Sequence, residues 1–255
     1  MKKLNILVCN DDGITSKGIY ELVKKLKEIA NVTVVAPISE QSAVGHAITM
    51  KNPLRIKEIF INNEFFGYAI DGTPADCVKI GIKNILNYKP DLVISGINNG
   101  ANTAINIIYS GTVSGAREAA IMDIQAIAIS LTSHTPTHYD VAAQIACEYA
   151  LKLYENPLPS GTLLNINVPD CPFDDINGYL FTKQGKSKWN DDYEERIDPF
   201  GYKYYWLKGD WIECDADIQY DHVATKKNYV SLTPIHFDLT DYSALEKYKH
   251  IFEKK

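Results

Sequence analysis

Residues 4–37 read LNILVCNDDGITSKGIYELVKKLKEIANVTVVAP. Leu4–Cys9 is short, apolar and β-rich, and it stops at Asn10-Asp11-Asp12-Gly13, so it reads as a buried strand ending in a turn. Ile19, Leu22, Val23, Leu26 and Ile29 then recur at helical spacing with lysines between them. Val32–Ala36 is a second strand, closed by Pro37. Strand, helix and strand within so few residues make a βαβ unit, which requires the two strands to be parallel.

The alternation continues outward from that unit. Residues 54–71 form two extended segments around Asn62-Asn63, and Val78, Ile82 and Ile85 mark a helix after Thr73-Pro74. Leu92–Ser95 is a third core strand ending at Gly96, followed by a long polar loop to Gly111. A small-residue helix over Val113–Ala120, a strand over Ala126–Ser130, a helix over Tyr139–Tyr154 and a strand over Leu163–Val168 follow. After Pro169 the texture changes. Residues 170–217 are rich in Tyr, Trp, Asp and Lys and read as hairpins and loops, Tyr202–Leu207 among them. Tyr229–Thr233 returns to the main body as a strand, and Ser243–Phe252 is a helix. The expectation is an α/β fold: a doubly wound, Rossmann-like, mostly parallel sheet with a C-terminal β-hairpin and helix appendage. Residues 1–132 are expected to hold the ligand-binding core, and residues 133–255 to continue it and add the appendage.

Composition sets the outer limits. The chain has 255 residues, 45% of them hydrophobic, which is enough apolar surface for a folded core and excludes disorder as the main state. With 26 basic and 32 acidic residues the net charge is −6, which argues against a protein that coats a nucleic-acid polymer. Cys9, Cys77, Cys147, Cys171 and Cys214 are scattered, odd in number and without C-x-x-C, as expected of a reducing cytoplasm. Lys2 and Lys3 precede an apolar run that meets Asp11 and Asp12 too soon for a secretion signal. No apolar stretch approaches the ~20 residues of a membrane span, so no membrane partner is expected.

In an open parallel sheet, ligands bind outside the carboxyl ends of the strands. The segments there are Asn10-Asp11-Asp12, Ser39-Glu40-Gln41-Ser42 and Ser95-Gly96-Ile97-Asn98-Asn99-Gly100-Ala101-Asn102, all dense in oxygen donors. Adjacent carboxylates repel unless a cation or a proton relieves them, so Asp11-Asp12 points to a hard divalent ion, Mg²⁺ or Mn²⁺. Ser42 and Asn98 can add neutral oxygens, whereas an Asx-bonded turn is the plain alternative. Tyr109-Ser110-Gly111-Thr112-Val113 places hydroxyls and glycine at a helix start, which suits an anion, although ordinary N-capping also uses such residues. Walker A and strand-borne G-x-G-x-x-G motifs are absent. A metal beside an anion site suggests phosphoryl chemistry.

These segments resemble the survival protein E (SurE) family of nucleotidases. The likeness runs through Asn10-Asp11-Asp12-Gly13, Gln41-Ser42, Gly72-Thr73-Pro74-Ala75-Asp76, Ser95-Gly96-Ile97-Asn98 with Asn102, Tyr109-Ser110-Gly111-Thr112-Val113, Leu164–Pro169 and Val230–Pro234 with Asp238-Leu239-Thr240. It implies a metal-dependent phosphatase acting on nucleoside 5′- and often 3′-monophosphates, with short polyphosphate as a further substrate in some members. It implies one Mg²⁺ or Mn²⁺ held by Asp11, Asp12, Ser42 and Asn98, and phosphate bound by Asn102, Ser110, Gly111 and Thr112. Asp11, Asp12 and Asn102 are then the catalytic set. The likeness also implies a homodimer or homotetramer built by exchange of C-terminal segments. Thr103-Ala104 departs from the family's usual Leu-Gly close to the site.

A haloacid-dehalogenase-type phosphatase needs D-x-D with the first aspartate as nucleophile, and Asn10 stands at that position. A non-catalytic nucleotide-binding module of the same fold is the rival from another class. His46 is a loop histidine that is either near the substrate or solvated. Lys183, Lys186 and Lys188 either attract an anion or form a solvated face. Tyr202, Tyr204, Tyr205 and Trp206 either stack a base or pack at an interface.

Overall fold

The structure is a computed structural model that describes residues 3–253. Lys2 of the basic pair and residues 254–255 of the C-terminal segment lie outside the described residues.

Alternation along the first strand, β1 (Leu4–Cys9), decides how the layers form. Leu4, Ile6 and Val8 face one side, and Leu7 and Cys9 the other, all of them buried. The first face is covered by α1 (Lys17–Leu26) and, from later in the chain, α5 (Tyr139–Glu155). The second is covered by α2 (Pro74–Ile80) and α4 (Gly111–Ile121). Burial on both faces is what a central parallel strand needs, and it explains the uninterrupted apolar run.

Among the described residues the sheet has nine strands. To one side of β1 lie β2 (Ala30–Pro37), β4 (Glu64–Ile70) and the edge strand β3 (Ile56–Ile61). To the other lie β5 (Leu92–Asn99), β6 (Gln125–Leu131) and β7 (Thr162–Val168), then β11 (Tyr229–His236) and β8 (Gly178–Phe181). Strands β4, β2, β1, β5, β6 and β7 run parallel; β3 is antiparallel to β4, and β11 to β7. The winding direction therefore reverses between β1 and β5, and the ligand crevice of such a sheet opens at their carboxyl ends. The expected doubly wound α/β architecture is what the chain adopts.

Three expectations are corrected. The third core strand does not end at Gly96: β5 runs on to Asn99 through a register shift between Ser95 and Asn98. Ile97 is wholly buried there, and its carbonyl would lie 2.1 Å from a Cβ on Gly18, so only glycine lets α1 start so close to β5. The polar loop before Gly111 contains a helical turn, α3 (Asn106–Tyr109). Part of segment 170–217 belongs to the main sheet, because β8 pairs in parallel with β11. The rest is a long antiparallel hairpin of β9 (Lys188–Ile197) and β10 (Lys203–Ile212), which among the described residues pair only with each other. A short helix, α6 (Asp221–Lys226), leads into β11. The terminal helix α7 (Tyr242–Phe252) buries none of its residues. Among the described residues no helix is long and apolar enough to cross a membrane.

Candidate active site at the sheet switch point

Asp11 and Asp12 follow β1 directly, at the crevice. Asn10, ahead of them, is fully buried, and its Nδ2 donates to the Gly13 carbonyl at 2.8 Å and to Ser16 Oγ at 2.9 Å. It shapes the turn, which presents the two carboxylates. The Asp11 carbonyl accepts the Gln41 N–H at 2.7 Å, tying the loop after β2 to the end of β1. That loop carries Ser42, which is exposed, with its hydroxyl donating to Glu40 at 2.6 Å.

Asp11 is 5% exposed and accepts a hydrogen bond from the hydroxyl of Thr112 at the start of α4. Gly111 is what brings helix and carboxylate together: a Cβ there would sit 2.8 Å from Asp11 Cβ and 2.9 Å from its Oδ2. Burial raises the Asp11 carboxyl above the ordinary carboxylate range, the Thr112 hydrogen bond notwithstanding. Burial first, then the negative charge of Asp11, pushes Asp12 up to about 7. The carboxylate of Glu40 pushes both the same way. The Oδ2 of Asp12 is buried without a partner. A buried, unpaired carboxylate oxygen beside a second carboxylate is costly unless a cation neutralises it.

At the end of β5, Asn98 donates to the Gly100 carbonyl at 2.7 Å. Asn102 lies beyond it and is held on all sides. Its N–H donates to Asn167 Oδ1 at 2.8 Å, and its Nδ2 to Ser130 Oγ at 2.9 Å. Its carbonyl accepts from Asn165 at 2.8 Å and from Asn167 at 3.1 Å. Ser110 caps α4: its Oγ accepts the Val113 N–H at 3.0 Å, which leaves the hydroxyl proton to donate outward. Thr112, expected on the phosphate, is instead turned to Asp11 in this structure.

The sequence reading missed the residues that hold this loop. Asn165 and Asn167 are fully buried polar side chains on alternate positions of β7, a pattern that was visible as Asn-Ile-Asn inside an apolar strand. Asp221, fully buried at the start of α6, accepts the Ala104 N–H at 2.9 Å and the Gly185 N–H at 3.0 Å. Gln184 donates to the Ala104 carbonyl at 2.9 Å. Burial raises the Asp221 carboxyl in spite of these backbone donors. Ala104 itself has a φ of 49°, a left-handed conformation that glycine adopts freely and alanine adopts at a cost. Ala104→Gly is expected to keep activity and raise stability by up to about 1 kcal/mol, read as a Tm increase by calorimetry.

The other candidates fall outside the crevice or at its rim. His46 is neither solvated nor aimed at the carboxylates: its Nε2 pairs with Glu118, 3.0 Å away, and Glu118 also takes Lys79 at 2.5 Å. Lys183 donates to Gln219 at 2.7 Å, while Lys186 and Lys188 are exposed. Tyr202, Tyr204, Tyr205 and Trp206 are exposed on the hairpin. Among the described residues no three His, Cys, Asp or Glu gather as a metal-holding group, so the donor set here is two carboxylates with neutral oxygens. Such a set suits a hard divalent ion rather than zinc.

A carboxylate pair at the switch point, with a capped helix start and a rigid asparagine loop beside it, defines an α/β protein of the phosphate-ester hydrolase class. The comparisons with known proteins narrow this. Residues 6–191 match the family described as Survival protein SurE. The chain is 47% identical to 5′-nucleotidase SurE of Thermosipho africanus over 252 residues, 99% of each chain. It is 46% identical to 5′-nucleotidase SurE of Chlorobium phaeobacteroides over 94% of this chain and 93% of that one. The crystal structure of the SurE protein from Aquifex aeolicus superposes with a TM-score of 0.85 at 38% identity, covering 98% of this chain and 100% of that one. The chain belongs to the SurE family.

Proposed function

We infer that this protein is a 5′-nucleotidase that hydrolyses nucleoside monophosphates to nucleoside and phosphate. Its curated relatives carry that name over nearly their full length. The observation that carries the site assignment is Asp12: a buried carboxylate oxygen with no partner, pressed against Asp11. Asp11, Asp12, Ser42 and Asn98 would hold one Mg²⁺ or Mn²⁺. When bound, the ion supplies charge neutralisation at the phosphate oxygens and a more acidic water.

The chain's own residues do the rest. Thr112 orients Asp11 through its hydroxyl. The Ser110 hydroxyl, the Gly111 backbone and the Asn102 amide face the phosphate, at the positive end of α4. Asn102 cannot swing, because Ser130, Asn165 and Asn167 hold it, so its position is set before substrate arrives. Asn10 is committed to the turn and is no nucleophile, so no aspartyl phosphate forms at that position.

Activity on AMP with Mn²⁺ or Mg²⁺ is expected to vanish in excess EDTA and return on adding the metal. Phosphate release measures both arms, and full activity in EDTA would sink the metal assignment. The same screen carries 3′-AMP and tripolyphosphate. The five cysteines are unpaired, which suits a reducing compartment, and we place the enzyme in the cytoplasm.

The assembly we propose is a homodimer or homotetramer. The hairpin exposes Phe200, Tyr202, Tyr205 and Trp206, and α7 exposes Leu245, Ile251 and Phe252. Such surfaces ask for a partner chain. Light scattering should give the mass of two or four chains. Removing residues 180–211 would also take part of β8, Gln184 and the Gly185 contact to Asp221. Replacing Phe200, Tyr202, Tyr205 and Trp206 together by serine tests the interface without touching the site; unchanged mass would remove the hairpin from it.

A further inference from the structure

A groove of about 840 Å³ opens between α3 and the root of the hairpin. Its walls include Ala43, Ile105 and Tyr109 on the core side and Trp189, Tyr193 and Leu207 on the hairpin side. Ala43 follows Ser42, and Tyr109 precedes Ser110, so the groove adjoins the metal loop and the start of the phosphate helix. Its volume lies in the range of small-molecule sites, and its lining joins these aromatic and aliphatic side chains to Asn106, Lys188, Asp191 and Lys208.

Trp189 is the fixed element of this wall. Its indole Nε1 donates to Asn106 Oδ1 at 2.9 Å, and its ring meets Trp211 edge-on with centroids 5.2 Å apart. The residue is nevertheless 44% exposed. An indole whose polar atom is already bonded and whose orientation is set from two sides presents an apolar π-face at little ordering cost. Asn106, which holds it, lies on α3, four residues before Ser110, so the ring is registered to the phosphate site through one short helix.

We propose that the nucleoside half of the substrate lies in this groove, with its base stacked on the Trp189 indole. This rests on the nucleotidase reading and deepens it. Every base has a π-face, so stacking without dedicated hydrogen bonds binds all of them and discriminates weakly among them. The hairpin thus has two parts: its root, at Trp189, Tyr193 and Leu207, faces substrate, and its tip at 194–206 faces a partner chain.

The test compares kcat/KM for AMP with that for ribose 5-phosphate, which has the same phosphate and sugar but no base. The ratio cancels any damage that a substitution does to the phosphate site. Wild type is expected to favour AMP by about tenfold or more, a stacking-sized preference. Trp189→Leu should bring the ratio close to one, mainly through KM, and Trp189→Phe should keep most of it. Tyr193→Ala, on the same hairpin wall, should lower it several-fold. Thr225→Ala should leave it unchanged, since Thr225 lines a separate depression with Trp189, Trp211 and His222. A ratio in Trp189→Leu equal to that of wild type overturns the proposal. So does a ratio lowered by Thr225→Ala and untouched by Tyr193→Ala, which places the base in that other depression. If wild type cleaves neither ester, the nucleotidase reading itself fails; if it cleaves both equally, that reading stands and the groove assignment falls.

Discussion

Asp12→Asn should reduce kcat on AMP by more than ~100-fold, beyond the range that changes in outer-shell partners of a metal site produce. It should do so without lowering the Tm of the metal-free protein. The two outcomes come from the same charge. Asp12 sits beside Asp11 and Glu40, is largely buried, and has one oxygen without a partner. In the metal-free protein that carboxylate is repelled from two sides, so neutralising it removes repulsion. In the metal-bound protein the same charge is the attraction. Saturating Mn²⁺ at ~100 times its Kd stabilises the wild type by about 2.7 kcal/mol. At this chain length that is roughly 5–10 °C in Tm. In Asp12→Asn most of this shift should disappear. Calorimetry with and without Mn²⁺ reads both effects, and a variant that melts lower without metal yet keeps the full Mn²⁺ shift would contradict the assignment.

The segments that the sequence made legible are those in which local pattern and burial agree. Leu4–Cys9 is apolar because both faces of β1 are covered, and Ile19, Leu22, Val23 and Leu26 mark the one buried stripe of α1. Asp11-Asp12 stood out because adjacent carboxylates at a strand end have no ordinary structural use. The rest depended on partners distant in the chain. Gly96 looked like a stop, yet β5 continues because Ser130 and Leu131 of β6 pair with Asn98 and Asn99. Gly178–Phe181 is only four residues long, and its place beside β11 is set by a strand fifty residues later. Asp221 gave no local signal at all: its task is to hold Ala104, more than a hundred residues earlier. Thr112 was read correctly as part of the helix start, but the partner its hydroxyl takes, Asp11, is a fact of packing alone.

Gly111→Ala should cost activity on the order of 10²–10³-fold, the scale of losing a preorganised electrostatic group. Alanine is the better helix former by about 1 kcal/mol, and position 111 opens α4, so propensity alone predicts a more stable protein. The geometry predicts the reverse for catalysis. The added Cβ meets Asp11 Cβ at 2.8 Å, Asp11 Oδ2 at 2.9 Å and the Gln41 carbonyl at 3.1 Å. Two of these three neighbours are poor at yielding: the Asp11 Cβ is fixed by its own backbone, and the Gln41 peptide is tied to the Asp11 carbonyl. The helix start must therefore back away from the strand end. That movement breaks the Thr112 hydrogen bond to Asp11 and shifts Ser110, so the carboxylate pair and the phosphate donors lose register together. Displacements of about 1 Å are enough for losses of this size when catalysis depends on positioning. Because both substrates share the phosphate site, AMP and ribose 5-phosphate should suffer equally, unlike in Trp189→Leu. The Tm should change by only a few degrees, since the contact lies at the crevice rim and not in the core beneath it. Steady-state kinetics with both esters, beside a melting curve, separates the two substitutions; a Gly111→Ala enzyme with wild-type kcat would show that Asp11 does not need the helix start against it.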